Sequence, residues 1–145
     1  MKRQIKTGDR YRDFEATAAT AELFQLFTGK NILEELVRQR DILTPAMTAD
    51  GLLDIAKVDA GIATSTSDIL ELYQKLSFVM YIQANTPEQA TPGATIRAIK
   101  AQMTDDDYLG WLSMFDSTDF AGDFFKEIAD LFNSQAKTYT KQKNV

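Results

Sequence analysis

The densest run of groups capable of chemistry in this sequence is Thr104-Asp105-Asp106-Asp107, three consecutive carboxylates behind a hydroxyl. Magnesium and calcium take oxygen ligands of this kind. A calcium loop of the EF-hand type, however, alternates its ligands, turns on a glycine and closes with a glutamate, and none of that pattern is present. The same four residues fit the start of a helix, where threonine accepts from an orphan backbone N–H and carboxylates meet the positive end of the dipole. Helix capping is therefore their expected role.

The chain has no histidine and no cysteine. That removes the commonest general base, thiolate nucleophiles, Cys-based zinc sites and disulfides. Its serines lack an imidazole partner, and no motif supports a Ser–Lys pair. Gly8, Gly29, Gly51, Gly61, Gly93, Gly110 and Gly122 are scattered, so no loop is built to cradle a phosphate. Nothing singles out two of the 21 acidic residues as a glycoside-cleaving pair. The expectation is a non-enzymatic protein with no cofactor and no metal site.

The totals agree with a binding role. At 145 residues the chain is long enough for one sizeable core. A net charge of −5 argues against nucleic acid as a partner, since phosphate contact needs clustered Lys and Arg. No apolar stretch follows Met1-Lys2-Arg3 as a leader would require, and none is long enough to span a bilayer. A soluble, cytoplasmic, mainly α protein is expected, without membrane association.

The organising element is Ser67–Asn85, SDILELYQKLSFVMYIQAN. Ile69, Leu72, Tyr73, Leu76, Val79 and Met80 recur at helical spacing, while Leu70, Phe78, Tyr81 and Ile82 make the second half apolar nearly all round. Such a helix belongs in the middle of a compact multi-helix domain, read here as residues 1–136. Thr66 or Ser67 would cap it, with Asp68 in its first turn. Ahead of it, Thr7-Gly8-Asp9 suggests a turn, so residues 1–16 form either a solvated arm or a short β-hairpin.

A helix within Ala16–Thr28, capped by Thr17 or Thr20, should end at Gly29. Asn31 should then cap a second helix, Ile32–Arg40, with Ile32, Leu33, Leu36 and Val37 inward and Glu34 paired with Arg38. Leu52, Leu53, Ile55, Ala56 and Val58 suggest a short helix, and Ala60–Thr66 a loop. Asn85–Gly93, with two of the three prolines, reads as a loop or hinge. A helix over Ala94–Met103 should follow, with Ile96, Ile99 and Met103 on one face. The aromatic helix Tyr108–Phe115 comes next, and a last helix begins at Ser117 or Thr118. Residues 137–145, with Lys137, Lys141 and Lys143, read as a flexible basic tail.

Three stretches are candidates for binding a partner protein, the Asn85–Gly93 loop and two others. Tyr108, Leu109, Trp111, Leu112 and Phe115 cover a wide arc of a short helix, and aromatic residues are favoured at interface hot spots. The N-terminal segment is locally positive, with Arg10 and Arg12 able to meet an acidic partner.

Residues 10–36, RYRDFEATAATAELFQLFTGKNILEEL, resemble the opening of the tail assembly chaperones of long, non-contractile-tailed bacteriophages. That family shows a strand ending in an F-x-A-T-A-like run (here Phe14 to Ala18). A helix and a break follow (Phe27-Thr28-Gly29-Lys30), then a second helix of the Ile32-Leu33-Glu34-Glu35-Leu36 type. Its central helix has the form L-x-x-[LF]-x-x-[LI]-[AS]-[YF]-[VI]-M-x-x-Q-A, met here by Ile69, Leu72, Leu76, Ser77, Phe78, Val79, Met80, Gln83 and Ala84. A W-L-x-x-F-like run, Trp111 to Phe115, precedes the terminal helix. The resemblance implies a protein made in the cytoplasm of the infected bacterial host, binding the tape measure protein and tail tube subunit and absent from the finished virion. It also implies capacity for self-association. A small helical adaptor or regulatory module is the alternative reading of the same composition.

Overall fold

In the computed structural model, which describes residues 1–50, 54–57, 59–120 and 123–143, the chain opens with a β-hairpin. Strand β1 (Lys2–Thr7) pairs antiparallel with β2 (Arg10–Glu15), Thr7 opposite Arg10 and Lys2 opposite Glu15. Gly8 takes a φ of 68° at the first turn position, and no residue other than glycine has a positive φ among the described residues. That is the type II′ pattern, whose twist suits a two-residue hairpin. Ile5, Thr7, Phe14 and Ala16 are buried, so the segment is a docked hairpin and not a solvated arm. A Cβ on Gly8 would lie 2.5 Å from Asp119 Oδ1, and Asp119 Oδ2 accepts from the Asp116 N–H at 2.9 Å. Gly8→Ala is expected to lower stability by about 1–2 kcal/mol through the left-handed backbone alone. Its urea midpoint should fall without a change of slope.

Helix α1 (Thr20–Thr28) stops where Gly29, at φ 75°, turns its N–H back to the Gln25 carbonyl. Its N-cap is Ala19, not threonine. The two threonines serve a buried network instead. The Thr20 hydroxyl donates to Gln83 Oε1 at 2.7 Å and Gln83 Nε2 donates to Thr17 Oγ1 at 3.0 Å, while the Thr17 N–H donates to Thr20 Oγ1 at 2.9 Å.

Helix α2 (Ile32–Leu43) begins at Asn31, whose side chain accepts from Leu33 and Glu34 N–H. Its orientation departs from expectation. Ile32 and Gln39 are buried, whereas Leu33 and Val37 face outward at 55% and 47% exposure. The ion pair is Arg38–Glu35 at 2.6 Å, not Glu34. The outward position of Leu33 and Val37 goes with the burial of Gln39, whose Oε1 accepts from the Ser65 hydroxyl. Arg38 takes Glu35 at i,i+3 in place of Glu34 at i,i+4, a choice between two neighbours on the same helix.

The central helix, α3 (Ala60–Asn85), is longer at its start than 67–85. Residues 60–66 extend it because each added residue gains a backbone bond once the nucleus exists, and Ser65 is held against α2. Thr66 and Ser67 therefore lie inside the helix and not at its N-terminus. Leu76 to Met80 are all buried, as expected of a helix enclosed on every side. Leu52, Leu53 and Val58 of the expected short helix lie outside the described residues, and Ile55–Lys57 forms one 3₁₀ turn.

Thr91 caps α4 (Pro92–Ala101), with proline in its first turn. Thr104 caps α5 (Asp105–Leu112), accepting from the Asp107 N–H at 3.0 Å while its hydroxyl donates to Asp107 Oδ2 at 2.9 Å. Ser117–Phe120 is a 3₁₀ turn, so the last helix, α6, starts later than expected and spans Phe124–Lys143. The fold is mainly α, with six helices and the hairpin among the described residues. Buried residues of both strands and all six helices form one hydrophobic cluster around α3. Phe14 joins β2 to α6 and α3 through ring contacts to Phe124 at 5.6 Å and Tyr81 at 6.1 Å.

Candidate protein-binding surface

The aromatic helix divides its residues between core and surface. Tyr108 and Trp111 are 7% and 3% exposed, so neither is presented to a partner. Trp111 meets Phe78, Tyr81, Phe115 and Phe120 rings at centroid distances between 4.9 and 6.1 Å. Leu109 is 60% exposed, and Leu112 and Phe115 are half-buried. The outward face of α5 also carries Met114, 54% exposed, just beyond the helix end, and Gly110, where a Cβ would meet nothing within 4 Å. Gly110 and Met114 line a 330 Å³ groove floored by Phe78, Tyr81 and Ile82 of α3. Met114 stands four residues after Gly110, the spacing of neighbours on one helix face, and that spacing was available in the sequence.

Arg12 and Phe115, assigned by sequence to separate surfaces, come together. The Arg12 guanidinium carbon lies 4.5 Å from the Phe115 ring centroid, and Arg12 donates to the Thr7 carbonyl at 3.3 Å. Arg12 thus ties the hairpin to the end of α5, while Arg10 is exposed. On the α2 side, Leu33 and Val37 are four residues apart and outward, where sequence had placed them in the core. The spread of four apolar residues over Ile32–Val37 is wider than the stripe a surface helix buries. That excess was the available signal.

The loop after α3 helps wall a 580 Å³ cleft with the foot of the hairpin, lined by Lys2, Glu15, Gln83, Glu88, Gln89 and Ile96 among others. Among the described residues no three His, Cys, Asp or Glu side chains converge as a metal site would require. Nor is any helix long and apolar enough to cross a membrane. The Tyr108 hydroxyl is the strongly shifted group. Burial, with the Glu71 carboxylate adding to it, pushes its pKa up to about 12. In the unfolded chain the phenol ionises near 10, so above that pH the unfolded state loses its proton first. The stabilisation is complete below pH 10 and falls as pH rises through about 12, by up to ~1.4 kcal/mol per unit. Urea unfolding across that range, with Tyr108→Phe as control, should show a loss that the variant lacks.

Nothing matches this chain among protein-family models, curated proteins or solved structures.

Proposed function

We propose that this protein is a tail assembly chaperone of a long-tailed bacteriophage. It binds the apolar helices of the tape measure protein, and the tail tube subunit, in the cytoplasm of the infected cell. One observation carries the reading: on a chain of net charge −5, Leu33 and Val37 of α2, with Leu109 and Met114 at α5, stand between 47% and 60% exposed. Outward apolar groups of this kind suit a partner whose own apolar stripe would otherwise aggregate. The family resemblance supports the same reading through the interior. Phe14, Ala16, Ile32, Leu76, Met80 and Gln83, which carry it, are all buried, as expected of a shared framework with its outer faces left for partners.

The mechanism needs no chemistry. A client helix lays its apolar face on these residues and is released when the tail tube gives it a better surface. When a tagged form is co-expressed with the tape measure protein of the same genome, the two are expected to co-purify. Absence of any co-purification would defeat the reading.

A further inference from the structure

The hairpin has an edge that nothing in the described chain pairs. Thr7 and Arg10 close the two-residue turn, so Ile5/Arg12 and Arg3/Phe14 exchange backbone bonds and the alternate residues point theirs away. The Ala16 N–H to Met1 carbonyl bond, at 2.9 Å, keeps the same phase. On β2 the outward Asp13 carbonyl accepts from Asn85 Nδ2 at 3.2 Å. On β1 the outward groups of Lys2, Gln4 and Lys6 have no backbone partner among the described residues.

Beside this edge lies a 480 Å³ groove, with Gln4 and Lys6 on one wall and Asp119, Asp123, Phe124 and Glu127 on the other. A groove between a strand edge and a helix is the shape in which extended peptides are recognised by strand addition. Asp123 immediately precedes α6 and Glu127 lies in its first turn, four residues on, and none of the three carboxylates is ion-paired among the described residues.

We infer that β1 accepts an extended, basic segment of a partner protein as a third strand, its backbone bonded to Lys2, Gln4 and Lys6 and its Lys or Arg side chains meeting Asp119, Asp123 and Glu127. Charge disfavours a second copy of this chain in that place. An antiparallel β1–β1 pair centred on Gln4 would set Lys2 opposite Lys6, and directly opposed like charges destabilise a pair. The inference does not depend on the tape measure reading.

The test is an amide NMR titration with a seven-residue peptide alternating threonine and lysine. Saturable shifts are expected at Lys2, Gln4 and Lys6. They should weaken at least tenfold with Gln4→Pro, since proline at an outward edge position removes a donor without breaking the ladder. The same peptide N-methylated at alternate residues tests the backbone bonding with the protein unaltered, and should give no shifts. An Asp123→Asn/Glu127→Gln form should lose most of the affinity and its salt dependence. Absence of shifts at β1, or equal binding of the N-methylated peptide, would overturn the proposal. So would concentration-dependent shifts of these amides without peptide, which would assign the edge to a second copy.

Discussion

Replacing Phe14 with alanine is expected to destabilise the protein by about 3–5 kcal/mol, the range for deleting a fully buried aromatic ring. Phe14 has no exposed surface and contacts rings on two helices, Phe124 at 5.6 Å in an edge arrangement and Tyr81 at 6.1 Å. Its removal opens a cavity where β2, α3 and α6 meet, and those long elements cannot collapse into it together. A chain of this size has a total stability of about 5–15 kcal/mol, so the loss is a large fraction. The thermal midpoint should fall by about 10–15 °C. Hydrogen exchange gives the sharper readout. Amides of Ile5 and Thr7, protected by a hairpin that Phe14 anchors, should exchange faster than those of Val79 and Met80.

The second large effect concerns Trp111, the single tryptophan. Trp111→Ala should cost about 3–5 kcal/mol, because the ring is 3% exposed and touches four aromatic neighbours from α3, the end of α5 and the turn at Ser117–Phe120. Trp111→Phe should cost less than about 1.5 kcal/mol. The smaller ring keeps the central contacts, and the indole Nε1–H it gives up is buried without a protein acceptor among the described residues. A buried unpaired donor carries a penalty of about 1–3 kcal/mol, which offsets the lost volume. Chemical unfolding of both variants, followed by circular dichroism, decides the matter. Equal destabilisation would mean that Nε1–H is bonded in solution.

The central helix was legible because its own residues carry the information: five consecutive positions, Leu76 to Met80, read as apolar or small and all are buried. The glycine stop at Gly29, the Asn31 cap and the Thr104 cap are also local and followed from residue type. What failed was long-range. Thr20 looks like a helix cap in isolation, but its partner Gln83 is 63 residues away. Ala60–Thr66 looks like a loop until Ser65 finds Gln39, 26 residues earlier. The same contact accompanies a buried Gln39, with Leu33 and Val37 left outward. At the candidate surface, a count of aromatic residues cannot tell the inward Tyr108 and Trp111 from the outward Leu109.

In the proposed function the outward apolar residues of α2 and α5 hold a client protein. The decisive measurement is the fraction of tape measure protein remaining in solution when co-expressed with wild type or with a Leu33→Glu/Val37→Glu/Leu109→Glu form. Each substitution lies on an exposed site, where effects on stability are usually within about 0.5 kcal/mol, so the unfolding midpoint should change little. Wild type is expected to keep the tape measure protein in solution, and the triple variant, though folded, to let it pellet. Equal solubility with both forms, or with no partner at all, would contradict the proposed function.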